Sequence, residues 1–316
     1  MSVVICKLPR AGLGNQLFPL LKAAVFARLN ELPLIVTGYN QFKIGPYLRG
    51  EKIKRNYRGY FLFEKGLLGE QVDQFRIWRS RGDEDRVEPT VEVLPAAARE
   101  GKRFIFSEIP HWSDHFAGLR EHRQLTLEIF EEMVCEGIKR KAEVIDAPCI
   151  GVHIRMGDFR KLKEGEDFQS VGAVRTPEEY FMQIIRQIRE IAGIALPVSV
   201  FTDGRRHELE TLFTMENISM VEGNPDLVDM LALSRSGIIV ASANSTFSYW
   251  AGFLSKAPLI LHPDHIHAPI RYGKGEGVYE GPFDVMDDDM VSGIKNIKEG
   301  GDVITNSNEK YENSHK

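Results

Sequence analysis

The sequence predicts an α/β fold with parallel sheets, and three features carry that prediction. Over residues 148–262, short apolar runs of strand length alternate with helix-length periodic segments. Two of those runs stop abruptly in residues that carry chemistry. The run at 148–152 ends in His153-Ile154-Arg155-Met156-Gly157-Asp158, and the run at 237–241 ends in Ser242-Ala243-Asn244-Ser245-Thr246. A strand, a glycine turn and a helix also open the chain. In an open parallel sheet, ligands gather at the carboxyl ends of strands, because loops and helix N-termini converge there.

Residues 3–6 form the first strand by their unbroken apolar character. The turn Pro9-Arg10-Ala11-Gly12-Leu13-Gly14-Asn15-Gln16 leads into a helix whose Leu17, Leu20, Leu21, Ala24 and Val25 share a face. Such a turn aims backbone N–H groups at a phosphate, although glycines there serve equally well to make the turn alone. Residues 32–36 read as a second strand, 60–63 and 103–106 as two more, and 72–79 as a short helix. Residues 79–92 are charged and irregular, an exposed loop. His111-Trp112-Ser113-Asp114-His115 is a loop whose aromatic could stack on a sugar, with burial between two halves of the chain the preferred role. Residues 119–145 read as one long helix closing the first half. The expected domains are 1–147 and 148–299, and the polar tail 300–316 is expected to be disordered.

On an extended strand His153 and Arg155 point to the same side, which suits a ligand with an anionic group and a polar ring; solvated charges at a strand end are the alternative. After a loop at 159–175, Thr176-Pro177-Glu178-Glu179 has the composition of a helix start, with Thr176 as N-cap. Residues 197–201 form a strand ending in Thr202-Asp203-Gly204, followed by a helix at 207–213 and a strand at 218–221. A short helix at 226–233 carries Asp229. A strand at 237–241 leads into an apolar helix at 249–254, and 258–261 is the last clear strand. Strands alternating with helices in this way give a Rossmann-like parallel sheet. Asn244, Ser245 and Thr246 form a second anion candidate at a helix N-terminus. Capping alone would need only one such residue. Asp229 is placed to accept from a guanine edge or a ribose, or to stand as a solvated helix carboxylate, the reading that spacing favours.

Composition excludes several classes. With 43% hydrophobic and 27% charged residues the chain is globular, and a net charge of −5 argues against nucleic-acid binding. Basic clusters such as Lys52, Lys54, Arg55 and Arg58 leave room for an anionic ligand. Three dispersed cysteines are expected to be reduced, in a cytoplasmic protein. No signal peptide or spanning segment is expected, so membrane contact would be peripheral, at the inner face of the cytoplasmic membrane. Asp287-Asp288-Asp289 reads as a helix start. His262, His265 and His267 are loop histidines in preference to a zinc site, and no metal is expected.

Three stretches in order, Gly12-Leu13-Gly14-Asn15-Gln16-Leu17, His153-Ile154-Arg155-Met156-Gly157-Asp158 and Ala243-Asn244-Ser245-Thr246-Phe247-Ser248-Tyr249-Trp250, resemble the GDP-fucose-dependent α-1,2-fucosyltransferases of glycosyltransferase family 11. They resemble the α-1,6- and protein O-fucosyltransferases more distantly. The resemblance runs from about residue 3 to about residue 262 and is poor in the middle of the first half. It implies a GT-B architecture: two Rossmann-like domains with parallel sheets facing across a cleft, the donor held mainly by 148–299 and the acceptor on the side of 1–147. It further implies that Arg155 neutralises the diphosphate, His153 contacts the nucleotide and Asp229 binds guanine. Asn244, Ser245 and Thr246 would hold phosphate, with Gly14 and Asn15 approaching from the N-terminal domain. The implied reaction is an inverting, metal-independent transfer from GDP-fucose to a hydroxyl of a glycan or lipid-linked oligosaccharide, with no cofactor, in surface-polysaccharide or O-antigen synthesis. Asp158 would be its base or would orient Arg155; Glu164, Glu166 and Asp167 are other base candidates. Two positions depart from the family: Met156 stands where a second arginine is usual, and Tyr249 where a tryptophan is. Another nucleotide sugar and a non-catalytic nucleotide- or glycan-binding homologue remain as rivals. A dinucleotide oxidoreductase is disfavoured because Leu17 replaces the third glycine of its fingerprint.

Overall fold

Nine strands, every pairing between them parallel, make two sheets among the described residues of the computed structural model. Those residues are 2–41, 45–48, 57–79, 88–166, 168–265, 268–271 and 279–297. The first half contributes β1 (Val3–Lys7), α1 (Leu13–Leu29), β2 (Leu34–Thr37), α2 (Gly45–Leu48), α3 (Gly66–Arg79) and α4 (Ala96–Arg99). It continues with β3 (Arg103–Phe106), α5 (Arg123–Met133) and α6 (Glu136–Glu143). The second half contributes β4 (Ile150–Ile154), α7 (Glu178–Ala192), β5 (Val198–Thr202), β6 (Ile218–Val221) and α8 (Asp226–Ser234). Then come β7 (Ile238–Val240), α9 (Thr246–Leu254), β8 (Leu259–Ile260), β9 (Glu280–Gly281) and α10 (Asp288–Lys295). No helix among the described residues is long and apolar enough to cross a membrane.

The order of the first sheet is β2-β1-β3 and of the second β6-β5-β4-β7-β8-β9. In both, the chain leaves one strand to one side and later returns to its other side. The crevice at such a reversal is the ligand position of open parallel sheets. It falls beside β1 in one sheet and between β4 and β7 in the other. Register then sets the neighbours: His153 pairs with Phe201, Ile154 with Thr202 and Val152 with Val240. The polar tips of β4, β5 and β7 therefore meet.

Between the sheets lies a shared aromatic core. α1 is apolar on nearly all faces because it is covered on nearly all faces. Its Phe18 meets Phe116 and Trp250, with ring centroids 5.1 and 4.9 Å away. Phe116 also stacks on Phe253 at 4.8 Å. Thus α9, late in the chain, is built into the core of the first half. Arg123 at the start of α5 reinforces this by donating to the carbonyls of Phe253 and Ser255, at 2.9 and 2.8 Å.

Several local expectations need correction. The expected helix at 119–145 is a 3-10 turn followed by α5 and α6, broken at Val134 and Cys135. There Val134 bridges antiparallel to Phe61 and the Cys135 N–H donates to the Tyr60 carbonyl at 2.9 Å, so a tertiary pairing removes the helical bonds. For the same reason 60–63 forms an isolated bridge and no strand. The helix expected at 72–79 starts earlier, at Gly66. The helix expected at 207–213 is two 3-10 turns, and β9 was not foreseen. Thr176 does not cap α7: its hydroxyl accepts the N–H of Ala243 at 3.0 Å, and Pro177 holds the cap position. The Asp287 start of α10 is as expected, its carboxylate accepting the Met290 N–H at 3.1 Å. Lys52, Lys54, Arg55, Asp167, His267, 80–87 of the expected loop and the 300–316 tail lie outside the described residues.

Candidate active site

A cleft of about 330 Å³ opens where the two reversals face each other, and it is lined by nine of the residues singled out above for the donor and the chemistry. Gly14 and Asn15 come from the start of α1. His153 lies near the end of β4, Arg155 and Asp158 follow it, Asp229 lies in α8, and Asn244, Ser245 and Thr246 follow β7.

Arg155 is the hinge of the β4 end. Its N–H donates to the Ser242 hydroxyl at 2.9 Å, tying the β4 tip to the β7 tip. Its guanidinium donates Nη1 to Asp203 and Nη2 to Asp158, and lies 5.6 Å from the centroid of Phe159. Burial works against its charge, but Asp203 and Asp158 overrule burial and raise its pKa above the ordinary value. Asp203 does a second job: its other oxygen accepts the N–H groups of Met156 and Gly157, at 2.7 and 3.1 Å. Sequence reasoning did not select Asp203. The signal was present, since it follows an apolar strand as His153 does.

His153 is buried, its Nδ1 2.7 Å from the Ser248 hydroxyl and its ring stacked on Phe247 at 4.6 Å. Burial and the nearby Arg155 lower its pKa to about 3, so the imidazole is neutral. Ser248 Oγ already accepts the Ser242 N–H at 3.3 Å. From that pattern we assign the serine proton to Nδ1 and the ring proton to Nε2, a donor for a ligand.

The β7–α9 turn places a backbone dipole at the cleft. Asn244 takes a left-handed conformation, φ 55°, and its N–H donates to the Tyr249 hydroxyl at 2.8 Å. Its side-chain nitrogen lies 2.9 Å from His265 Nδ1. The Ser245 side chain makes no cap, so capping does not account for this cluster. The first-turn N–H groups of α9 have no partner within the helix and suit an anion. Across from them α1 begins. Pro19 has no N–H, which deprives the Asn15 carbonyl of its usual helical partner. Tyr57, another residue not selected from sequence, accepts the Leu13 N–H at 2.9 Å; its surroundings in sequence carry no readable pattern.

Asp229 is buried and accepts from Asn224 Nδ2 at 3.0 Å, so it is not a solvated helix carboxylate. With Asp226 it occupies the first turn of α8, where the helix dipole favours negative charge. Trp112 reverses the earlier preference for burial: it is 60% exposed on the rim of the cleft. Its loop is held by His115 stacked on Phe18 at 5.1 Å and by the Ala268 N–H donating to the Ser113 carbonyl at 2.8 Å.

Among the described residues the lining carries one arginine against Asp158, Asp203, Asp226 and Asp229, and His153 is neutral. An anionic ligand must therefore rely on helix N-termini and on a guanidinium that already has carboxylate partners. Met156, where the fucosyltransferases that the motifs resemble usually have a second arginine, is buried in the core beside Gly204 and does not line the cleft. Of the other base candidates, Glu166 pairs with Arg160, and neither Glu164 nor Glu166 reaches the cleft. Among the described residues no group of three or more His, Cys, Asp or Glu could hold a metal ion.

No protein-family model matches the chain, and no curated protein matches it in sequence. Solved structures do match. The fucosyltransferase NodZ from Bradyrhizobium superposes with a TM-score of 0.51 at 14% identity, covering 84% of this chain and 97% of that one. NodZ α-1,6-fucosyltransferase soaked with GDP-fucose gives 0.47 at 16% identity, covering 83% and 95%. POFUT1 in complex with GDP gives 0.47 at 14%, covering 82% and 98%. The architecture is thus that of the GT-B fucosyltransferases, α/β with two parallel Rossmann-like sheets facing across a cleft.

Proposed function

We propose that the cleft binds GDP-fucose and that the chain transfers its sugar, with inversion, to a glycan hydroxyl. One observation carries this: three short stretches, far apart in sequence, converge with their polar groups on one cleft at the reversals of both sheets. Arg155 and the N-terminus of α9 take the diphosphate and stabilise the charge that develops on it, an effect that usually contributes most to such catalysis. His153 Nε2 donates to the nucleotide, Asp229 accepts from the guanine edge, and Asn15 and Gly14 close the donor site from α1. Asp158 takes the acceptor proton. Trp112, exposed on the rim, is placed to stack on an acceptor sugar. No metal enters this scheme. Family 11 membership, an α-1,2 linkage, a glycan or lipid-linked acceptor and a cytoplasmic role in surface-polysaccharide assembly are the finer reading, which rests on the resemblance alone.

Calorimetric titration of GDP and GDP-fucose in EDTA, with wild type and Arg155→Ala, is the test. The expected result is binding by the wild type and a loss of about tenfold or more in the variant. Binding of UDP or dTDP sugars in place of GDP would replace fucose with another donor. No nucleotide binding at all would overturn the assignment.

A further inference from the structure

The two carboxylates on Arg155 are not equivalent. Asp203 is only 11% exposed in its side chain and holds Nη1 with one oxygen and two backbone N–H groups with the other. Releasing it would leave those N–H groups unsatisfied at the turn after β4. Asp158 holds Nη2 from the outer side and is 37% exposed, so solvent can take it up. A phosphate binds best along an edge of the planar guanidinium, and in the free protein each terminal nitrogen already donates to a carboxylate on that edge.

We propose that the donor diphosphate displaces Asp158 from Arg155 while Asp203 stays, and that the displaced carboxylate is the base for transfer. This rests on the GDP-sugar reading above. Asp203 is then a positioning residue, fixing both the guanidinium and the turn that presents it. Asp158 is held away from the acceptor until the donor arrives, which makes donor binding come first. In the transfer step the acceptor oxygen bonds to C1 of the sugar while its proton passes to the Asp158 carboxylate. The C1–O bond to the β-phosphate breaks, and its electron pair leaves on GDP.

The exchange makes the two aspartates respond in opposite directions, which a shared structural role would not. Calorimetry with GDP on wild type, Asp158→Asn and Asp203→Asn reads it directly. Asp158→Asn removes the competitor and should bind GDP about fivefold to tenfold more tightly, while its transfer rate falls by about a hundredfold. Asp203→Asn should bind GDP at least about tenfold more weakly. If Asp158→Asn is misfolded by thermal melting, Asp158→Ser gives the same readout. GDP affinity equal to or weaker than wild type in a folded Asp158 variant overturns the exchange, and an undiminished transfer rate overturns the base. A wild type that binds no GDP fails the donor reading itself, and the inference falls with it. That failure is seen before any variant is compared.

Discussion

The indole N–H of Trp250 donates to the backbone carbonyl of Gly14, 2.7 Å away and buried, so a residue of α9 is bonded to the first turn of α1. The contact is close enough that Gly14 has no room for a side chain: a Cβ there would lie 2.6 Å from Thr246 Oγ1 and 2.9 Å from the Thr246 carbonyl carbon. The glycine that looked like a phosphate turn is also the packing point between two helix N-termini.

Gly14→Ala should therefore separate α1 from α9. Overpacking against backbone costs about 1–3 kcal/mol. The expected result is a lower thermal midpoint and weaker GDP binding together. Differential scanning calorimetry and GDP titration of the same sample check it; unchanged values would mean the helices part without consequence.

Met156→Arg introduces the arginine usual in the fucosyltransferases that the motifs resemble. Here the side chain is 4% exposed and packs where a Cβ on Gly204 would lie 2.7 Å from its Cγ. An arginine in that space buries a charge without a partner, so a loss of about 3 kcal/mol is expected in urea unfolding, with no gain in GDP affinity. A tighter-binding, stable variant would show that this position can reach the cleft.

Trp112→Ala should leave stability within about 0.5 kcal/mol, because most of the indole is exposed. The expected effect falls on the acceptor: a higher acceptor KM with GDP affinity unchanged. Steady-state kinetics against acceptor, beside GDP calorimetry, separates this from stacking on the base, which would weaken GDP instead.

His153 sets a pH dependence. Its folded pKa, about 3, lies below the unfolded value near 6.5, so between those limits the unfolded chain binds the extra proton. Stability is intact above about pH 6.5 and falls as the pH drops toward 3, at roughly 1 kcal/mol per unit. In His153→Gln that component should vanish. Thermal midpoints of both proteins from pH 7 to pH 4 give the difference; parallel curves would remove His153 as the source.

Five of the six strands of the second sheet were legible because they are apolar runs that end sharply, and the same sharp ends marked His153, Arg155 and Asn244 to Thr246. What escaped was fixed by contacts between distant segments. The break in the helix expected at 119–145 depends on Phe61 bridging Val134, which no local pattern records. Thr176 has the sequence of a cap, yet its hydroxyl is taken by Ala243. Asp203 becomes important only because register sets β5 beside β4. The acidic balance of the cleft was hidden for a related reason: Asp203 and Asp226 reach the lining only through register and packing.

The aromatic core joining Phe18, Phe116, Trp250 and Phe253 bears on how the chain can be divided. A fragment starting at Pro148 would carry α9 with its indole and phenyl rings stripped of their cover, a large apolar face open to water. Such a fragment should aggregate when expressed alone, and the intact protein should melt in one cooperative transition instead of two. The halves are separate as sheets and share one core.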